Sequence, residues 1–160
     1  MTFLDKGVFT TVIDSTPLIS IDLVVVNEHD EILLGRRTNR PAKGYWFVPG
    51  GRILKNETLS NAFQRLTLHE LGKSFQIEDA QCLGPYEHFY DDSVFSDEIS
   101  THYVVLGYRL SVRSTELKLP LEQHNAYEWF TKESLLSSDS VHRHSKWYLD
   151  RTAVQKVNIL

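Results

Sequence analysis

One cysteine, Cys82, is all the chain carries. An intramolecular disulfide is therefore impossible, and a zinc site built on several thiolates is excluded. A lone thiol fits a reducing compartment. No charge of one sign dominates either. The chain has 17 Lys and Arg against 21 Asp and Glu, for a net charge of −4. That excludes the general basic field with which proteins grip nucleic acid or anionic membranes, so neither is expected as a partner. Phosphate recognition, if present, must rest on a few placed arginines. Long apolar runs are missing too. The longest, Leu23 to Val26 with its flanks, is interrupted by Asp22. It falls far short of the roughly 20 residues of a membrane helix. No basic segment followed by an apolar core opens the chain, so no signal peptide is expected and the expected location is cytoplasmic. Repeats, low-complexity runs and Gly/Ser linkers are absent.

What is present reads as a globular chain. Apolar residues make up 41% and charged residues 24% of 160 positions, which suits one domain over residues 1–160. Apolar spacing predicts a helix over Phe3 to Ile13, broken at Thr16-Pro17. Ile- and Val-rich stretches predict strands over Leu18 to Asn27 and Glu31 to Arg37, joined as a hairpin through Glu28-His29-Asp30. A short strand is expected at Trp46 to Val48, with a turn at Pro49-Gly50-Gly51. A helix over Thr58 to Leu71 stops at Gly72. Further strands are expected at Ala80 to Tyr90, His102 to Val112 and Ala126 to Phe130. Helical candidates follow at Lys132 to Leu136 and Val141 to Leu149. Strands interleaved with few helices predict an α+β fold, a mixed α/β sandwich with a mixed central sheet flanked by helices.

The central helix carries a carboxylate on its apolar side. With Leu59 at 0° and about 100° per residue, Ala62, Phe63 and Leu66 fall within about 60° of it. Glu70 falls at about 20°, on the same stripe, while His69 is turned away. Glu70 also sits near the helix C-terminus, where the macrodipole disfavours negative charge. A carboxylate there needs a partner. Two partners fit: an arginine such as Arg65 or Arg52, or a divalent cation. His69-Glu70 lacks the second histidine of a zinc-protease helix.

Gly51, Glu57, Arg65, Glu70 and Gly72 match the frame G-x5-E-x7-R-E-U-x-E-E-x-G-U, where U is aliphatic. This is the Nudix box, a loop–helix–loop motif, and Pro49-Gly50-Gly51 leads into it. The match departs at Leu66, Thr67, His69 and Lys73. Two of those positions, 66 and 69, have lost the glutamates that help hold several Mg²⁺ ions in standard Nudix pyrophosphohydrolases. A single carboxylate suits one ion bound chiefly by substrate phosphate. Such an ion stabilises a departing diphosphate rather than preparing a water nucleophile.

The longer segments STPLISID, ILLGRRTNRPAKGYWFVPGGR, RLTLHELG, HFYDD, THYVVLG and EQHNAYEW resemble the GDP-mannose mannosyl hydrolases. This Nudix branch cleaves at carbon instead of phosphorus, and the resemblance spans nearly the whole chain. It implies hydrolysis of GDP-mannose, and usually GDP-glucose, to GDP and a free sugar of inverted configuration. It also implies one Mg²⁺ per site, with Mn²⁺ as a substitute, held by Gly50, Glu70 and Gln123. His124 would be the general base, a role suited to a side chain with pKa near roughly 6.5. Arg37 and Arg52 would meet the diphosphate, with a further hydrogen bond from Tyr103. Asp22 and His88 would face the sugar. Thr2, Phe3 and Arg36 would contact nucleotide, in part across a homodimer interface, and Arg65 of the box joins the candidate substrate contacts.

Plainer roles fit the same residues. Arg36 and Arg37 also suit surface charges ending a strand. Asp22 also suits a structural hydrogen bond, His88 and Tyr103 a satisfied core, and His124 a solvated loop. Adjacent strand residues point to opposite faces, so Gln123 and His124 can serve one site only from a loop or bulge, which Pro120 favours. Two other activities stay open. One is a Nudix pyrophosphatase that splits the P–O–P link of a nucleotide sugar or nucleoside triphosphate. The other is a non-catalytic nucleotide-binding module.

Overall fold

A computed structural model describes residues 4–120 and 124–150, with backbone alone at 124 and 125. Its first element is α1, Lys6–Ser15. The helix starts later than the apolar spacing predicts, because Asp5 caps it by accepting from the Val8 N–H at 3.0 Å. An N-cap carboxylate sets a sharper boundary than a hydrophobic stripe does.

Strand β1, Leu18–Val26, is the centre of the sheet. Its β-branched residues suit a pleated surface buried on both faces. Ile21, Leu23 and Val25 pack on one side with Ala62, Phe63 and Leu66. Val24 and Val26 pack on the other with Phe47, Val48 and Tyr148. Strand β2, Ile32–Arg37, pairs antiparallel with β1 only at Val26 and Ile32. Asn27 closes this hairpin: its backbone N–H donates to the Glu31 carbonyl at 3.0 Å, and Asp30 takes the left-handed conformation at φ 60°.

Beyond that single pair the two strands splay. β3, Trp46–Phe47, runs along β2, and β4, Gly50–Arg52, runs along β1. The expected Gly50-Gly51 turn is thus a strand, paired Asp22 to Gly50, Ile21 to Gly51 and Ser20 to Arg52. Glycine is needed at 50 because a Cβ there would strike the Ile21 carbonyl and lie 2.6 Å from Asp22 Oδ1.

Helix α2, Leu59–Leu71, is closed at both ends by its own sequence. Thr58 Oγ1 accepts from the Asn61 N–H at 3.2 Å. Gly72 takes the left-handed conformation at φ 72° and donates to the Leu68 carbonyl. The apolar stripe holds from Ala62 onward, with Phe63 fully buried, a burial worth about 1.5–3 kcal/mol. Leu59, in the first turn, is 44% exposed and not part of the core.

Long strands β5, Ala80–Tyr90, and β6, Thr101–Ser111, form an antiparallel pair. β6 then pairs parallel with the whole length of β1. Strand β7, His124–Phe130, covers the far edge of β2. Short helices α3, Lys132–Ser137, and α4, Arg143–Trp147, follow. The expected helix over 141–149 is only its middle five residues. Val141 instead makes an isolated bridge to Trp46, and His142 N-caps α4. Among the described residues no helix is long and apolar enough to cross a membrane.

Gly50→Ala is expected to destabilise the fold by about 1–3 kcal/mol, since its methyl meets backbone and a buried carboxylate. Gly51→Ala should cost less, because its Cβ meets only the movable end of Leu66, at 2.6 Å. Urea midpoints of the two variants check the order.

Candidate active site

The splay between β1 and β2 opens a cavity of about 390 Å³. It gathers Asp22 from β1, Arg37 from β2, Gly50 to Arg52 from β4, Glu70 from α2, His88 and Tyr90 from β5, and Tyr103 from β6. Arg65 and His69 also line it. Sequence reading singles out most of these residues separately, and the fold brings them to one place.

The glycine strand is braced from α2. Arg65 Nε donates to Glu57 Oε1 at 2.6 Å, and its Nη2 donates to Glu57 Oε2 and to the Arg52 carbonyl, both at 2.8 Å. Glu57 Oε2 also accepts from the Leu54 N–H. Two fixed positions of the box are thus a planar, two-pronged ion pair that holds the chain leaving β4. The arginine is committed to that brace even though it borders the cavity.

Glu70 is 1% exposed. Arg65 is paired with Glu57 rather than with it, and the Arg52 guanidinium lies 4.0 Å over the Phe9 ring. His69, expected to turn away, reaches back instead: its Nδ1 is 3.0 Å from Glu70 Oε1. The helical wheel fixes the direction of a Cα, whereas a half-exposed imidazole has the reach to swing along the helix.

The arginine side of the cavity is built for an anion. Arg37 Nε is buried without a hydrogen-bond partner among the described residues. Burial also pulls the Arg52 guanidinium below its ordinary value, with the nearby Arg65 adding to this. Burial keeps the Tyr103 phenol protonated by raising its pKa, against the pull of Arg37 and Arg52. These partly buried donors border the cavity, and an oxyanion would satisfy them.

The opposite side is neutral and aromatic. Burial raises the Asp22 carboxyl to about 7, with Glu70 adding to the rise, while a hydrogen bond from Tyr148 and the charge of Arg37 hold it down. His88, 2% exposed, is lowered to about 3 by burial and by neighbouring His142. It is therefore neutral at ordinary pH, and its 4.0 Å approach to Asp22 is not an ion pair. His88 stacks on His144 with ring centres 4.1 Å apart and planes 11° off parallel. His142 lies 4.6 Å from His144. Sequence reading treated 141–149 only as a helix, so it missed His142, His144 and Tyr148. The signal was the density of ring residues in VHRHSKWYL, which says nothing about what they face.

The other expected site residues divide clearly. Arg36 is exposed and does not line the cavity; its Nε donates to the Gly44 carbonyl at 3.3 Å. Thr2, Phe3 and Gln123 lie outside the described residues. The His124 backbone opens β7 opposite Arg37, and the pairing shifts register between Gly35 and Arg37. Three steps of β7 match two of β2 there, a bulge on the C-terminal side of His124; the expected loop or bulge joining Gln123 to His124 lies outside the described residues.

The splayed mixed sheet, the box helix and the glycine strand beneath an arginine-lined cavity are the architecture of the Nudix class. The NUDIX domain family profile matches residues 16–150, and the chain belongs to that family. It is 37% identical over 139 residues to the low-salt glycan biosynthesis protein Agl8 of Haloferax volcanii, covering 87% of this chain and 84% of that protein. A MutT protein from Methanosarcina mazei Go1 superposes with TM-score 0.68 at 21% identity, over 86% of this chain and 94% of its own. The NUDIX domain of Shewanella oneidensis NrtR, solved with ADP ribose, superposes with TM-score 0.63 at 17% identity, over 93% and 99%. These two structures share the fold. Nudix hydrolases act on nucleotide derivatives and typically use divalent metal ions such as Mg²⁺.

The buried histidines make stability depend on pH. His88, His142 and His144 fall from 6.5 to about 3, 4 and 2, chiefly through burial. Below pH 6.5 the unfolded chain takes up protons that the folded chain refuses, so their contribution is lost as pH falls. Asp22, raised from 3.8 to about 7, acts in the opposite direction but is one group against three. Stability is expected to drop by about 1–3 kcal/mol per pH unit below pH 6.5. Urea unfolding at about pH 7.5 and about pH 5.5 measures this, and equal midpoints would refute it.

Proposed function

We propose that the protein hydrolyses GDP-mannose, and GDP-glucose as a second substrate, to GDP and free sugar by attack of water on the anomeric carbon with inversion. The observation that carries this reading is the balance of charge in the cavity. Among the described residues lining it, Asp22 and Glu70 are the carboxylates, against Arg37, Arg52 and Arg65. Attack on phosphorus through several metal ions calls for more acids on α2, and positions 66 and 69 supply leucine and histidine instead. The likeness to a relative named for glycan biosynthesis supports a sugar-linked substrate.

The donor set fits one hard cation. A buried carboxylate and a backbone carbonyl beside the cavity, Glu70 and Gly50, suit Mg²⁺, or Mn²⁺ in its place. Among the described residues no group of three or more His, Cys, Asp or Glu is arranged to hold a metal. Glu70, Gly50 and Gln123 would hold the ion, and its chemistry would be neutralisation of the departing diphosphate.

The protein's own groups do the rest. Arg37 and Arg52 donate to diphosphate oxygens and strengthen as charge grows on GDP. Protonated Tyr103 adds a hydroxyl donor. Asp22 and His88 hold the sugar. His124 accepts the proton of the attacking water. Because the leaving diphosphate is already a weak base, no acid is needed to protonate it, unlike in most glycoside hydrolysis. Arg65 acts as a brace. Arg36, with Thr2 and Phe3, contacts nucleotide through donors not used on Gly44. A cytoplasmic homodimer belongs to the same reading, and exposed Leu4 and Val8 supply apolar surface for it.

Hydrolysis of GDP-mannose in ¹⁸O-labelled water tests the atom attacked. Label in mannose is expected, whereas label in phosphate would mean a pyrophosphatase, and binding without turnover a non-catalytic module. His124→Gln should lower kcat by roughly 10²–10⁴ with metal affinity unchanged. Wild-type turnover in that variant would remove His124 from the mechanism.

A further inference from the structure

The Asp22 carboxylate and the His88 imidazole share one hydroxyl. Tyr148 Oη donates to Asp22 Oδ2 at 2.6 Å, although the two residues are 126 apart in the chain. The same oxygen stands 3.5 Å from His88 Nε2. All three residues are buried. A phenol carries a single proton. Once that proton is committed to the carboxylate, the phenol oxygen has only lone pairs to offer the imidazole. A favourable contact then requires the ring proton of neutral His88 on Nε2, which leaves Nδ1 as an acceptor. Nδ1 lies 4.0 Å from Asp22 Oδ2, so with Asp22 ionised two acceptors border the cavity side by side. The face-on stack against His144 fixes the plane of the His88 ring.

The tyrosine is itself held in place. Its ring meets Tyr86 edge to face at 4.6 Å. It also fills the space left open by Gly107, where a Cβ would lie 3.0 Å from Tyr148 Cε1. An unpaired acceptor in a buried site is costly, so two fixed acceptors select a ligand that brings two donors.

We propose that Tyr148 is a positioning residue that sets Asp22 and His88 as a fixed pair of hydrogen-bond acceptors, matched to two hydroxyl groups of a sugar ring. The sugar as occupant rests on the reading of function given above. The proton placement on His88 does not.

The two parts are tested separately. Nitrogen-15 NMR of the histidine side chains reports which ring nitrogen carries the proton. At about pH 9, above the Asp22 value, wild-type His88 is expected as the Nε2–H form, and Tyr148→Phe is expected to shift it toward Nδ1–H, which can then donate to Asp22. An Nδ1–H form in the wild type, or identical spectra in the two proteins, would overturn the proposal. Gly107→Ala leaves the hydroxyl in place but presses on the ring, and should shift the spectrum in the same direction.

For the sugar, kcat/KM is compared between GDP-mannose and its monodeoxy analogues. Wild type should lose roughly 10-fold or more for each of two hydroxyls, mainly in KM, and Tyr148→Phe should lose less. Equal losses in both proteins would sink the matching of acceptors to hydroxyls. If the NMR result holds while no sugar nucleotide is turned over, the reading of function fails and the role of Tyr148 in proton placement stands.

Discussion

Gly50 lies opposite Asp22 in the pairing of β4 with β1, and no side chain fits between them. This close contact joins the two parts of the cavity. On the α2 side, the chain leaving β4 is clamped by Glu57 and Arg65, with Arg65 also holding the Arg52 carbonyl. On the β5 side, Asp22 is held by Tyr148. Loosening the glycine strand would therefore disturb Arg52, the Arg65 brace and the buried Asp22 together. The brace itself is local to the box, so Glu57 and Arg65 hold the chain leaving β4 whatever side chains stand at positions 66 and 69.

Desolvation shapes both sides of the cavity, with opposite results. It leaves Arg37 Nε without a hydrogen-bond partner among the described residues, and so suited to an anion. On the other side it keeps His88, His142 and His144 uncharged and raises Asp22. Low dielectric strengthens whatever hydrogen bonds form on either side. A ligand with a charged end and a neutral, hydroxyl-rich end would meet a matching environment along its whole length.

How much of this was legible in the sequence depended on the distance over which each feature is decided. Thr58 and Gly72 cap α2 through bonds within a few residues, and the helix was readable to within one residue at its start. Glu70 on the buried stripe followed from helical period alone. The glycine strand was misread because Gly50-Gly51 favours a turn locally, and only pairing with β1 makes it extended. Leu59 satisfied the period but sits in the first turn of α2, exposed and outside the core. The link from Tyr148 to Asp22 has no local signature, since it depends on where residues 141–149 return to the sheet. The arginines, Asp22, His88 and Tyr103 could be named from resemblance, but their common cavity follows only from the splay of β1 from β2.

The parallel pairing of β1 with β6 bears on how the molecule assembles. Its partners, such as Leu18 and Tyr103, are about 85 residues apart in the chain, whereas β1 with β2 and β5 with β6 are neighbours. Closing so long a loop costs entropy before any contact repays it. The sheet is complete only when the distant strand β6 pairs along β1. The cavity lies across that seam, with Asp22 on one strand and Tyr103 on the other. Each side of the seam carries some of the lining, Asp22, Arg37 and Glu70 on one and His88, Tyr90 and Tyr103 on the other, and the complete cavity exists only once the two parts of the sheet join.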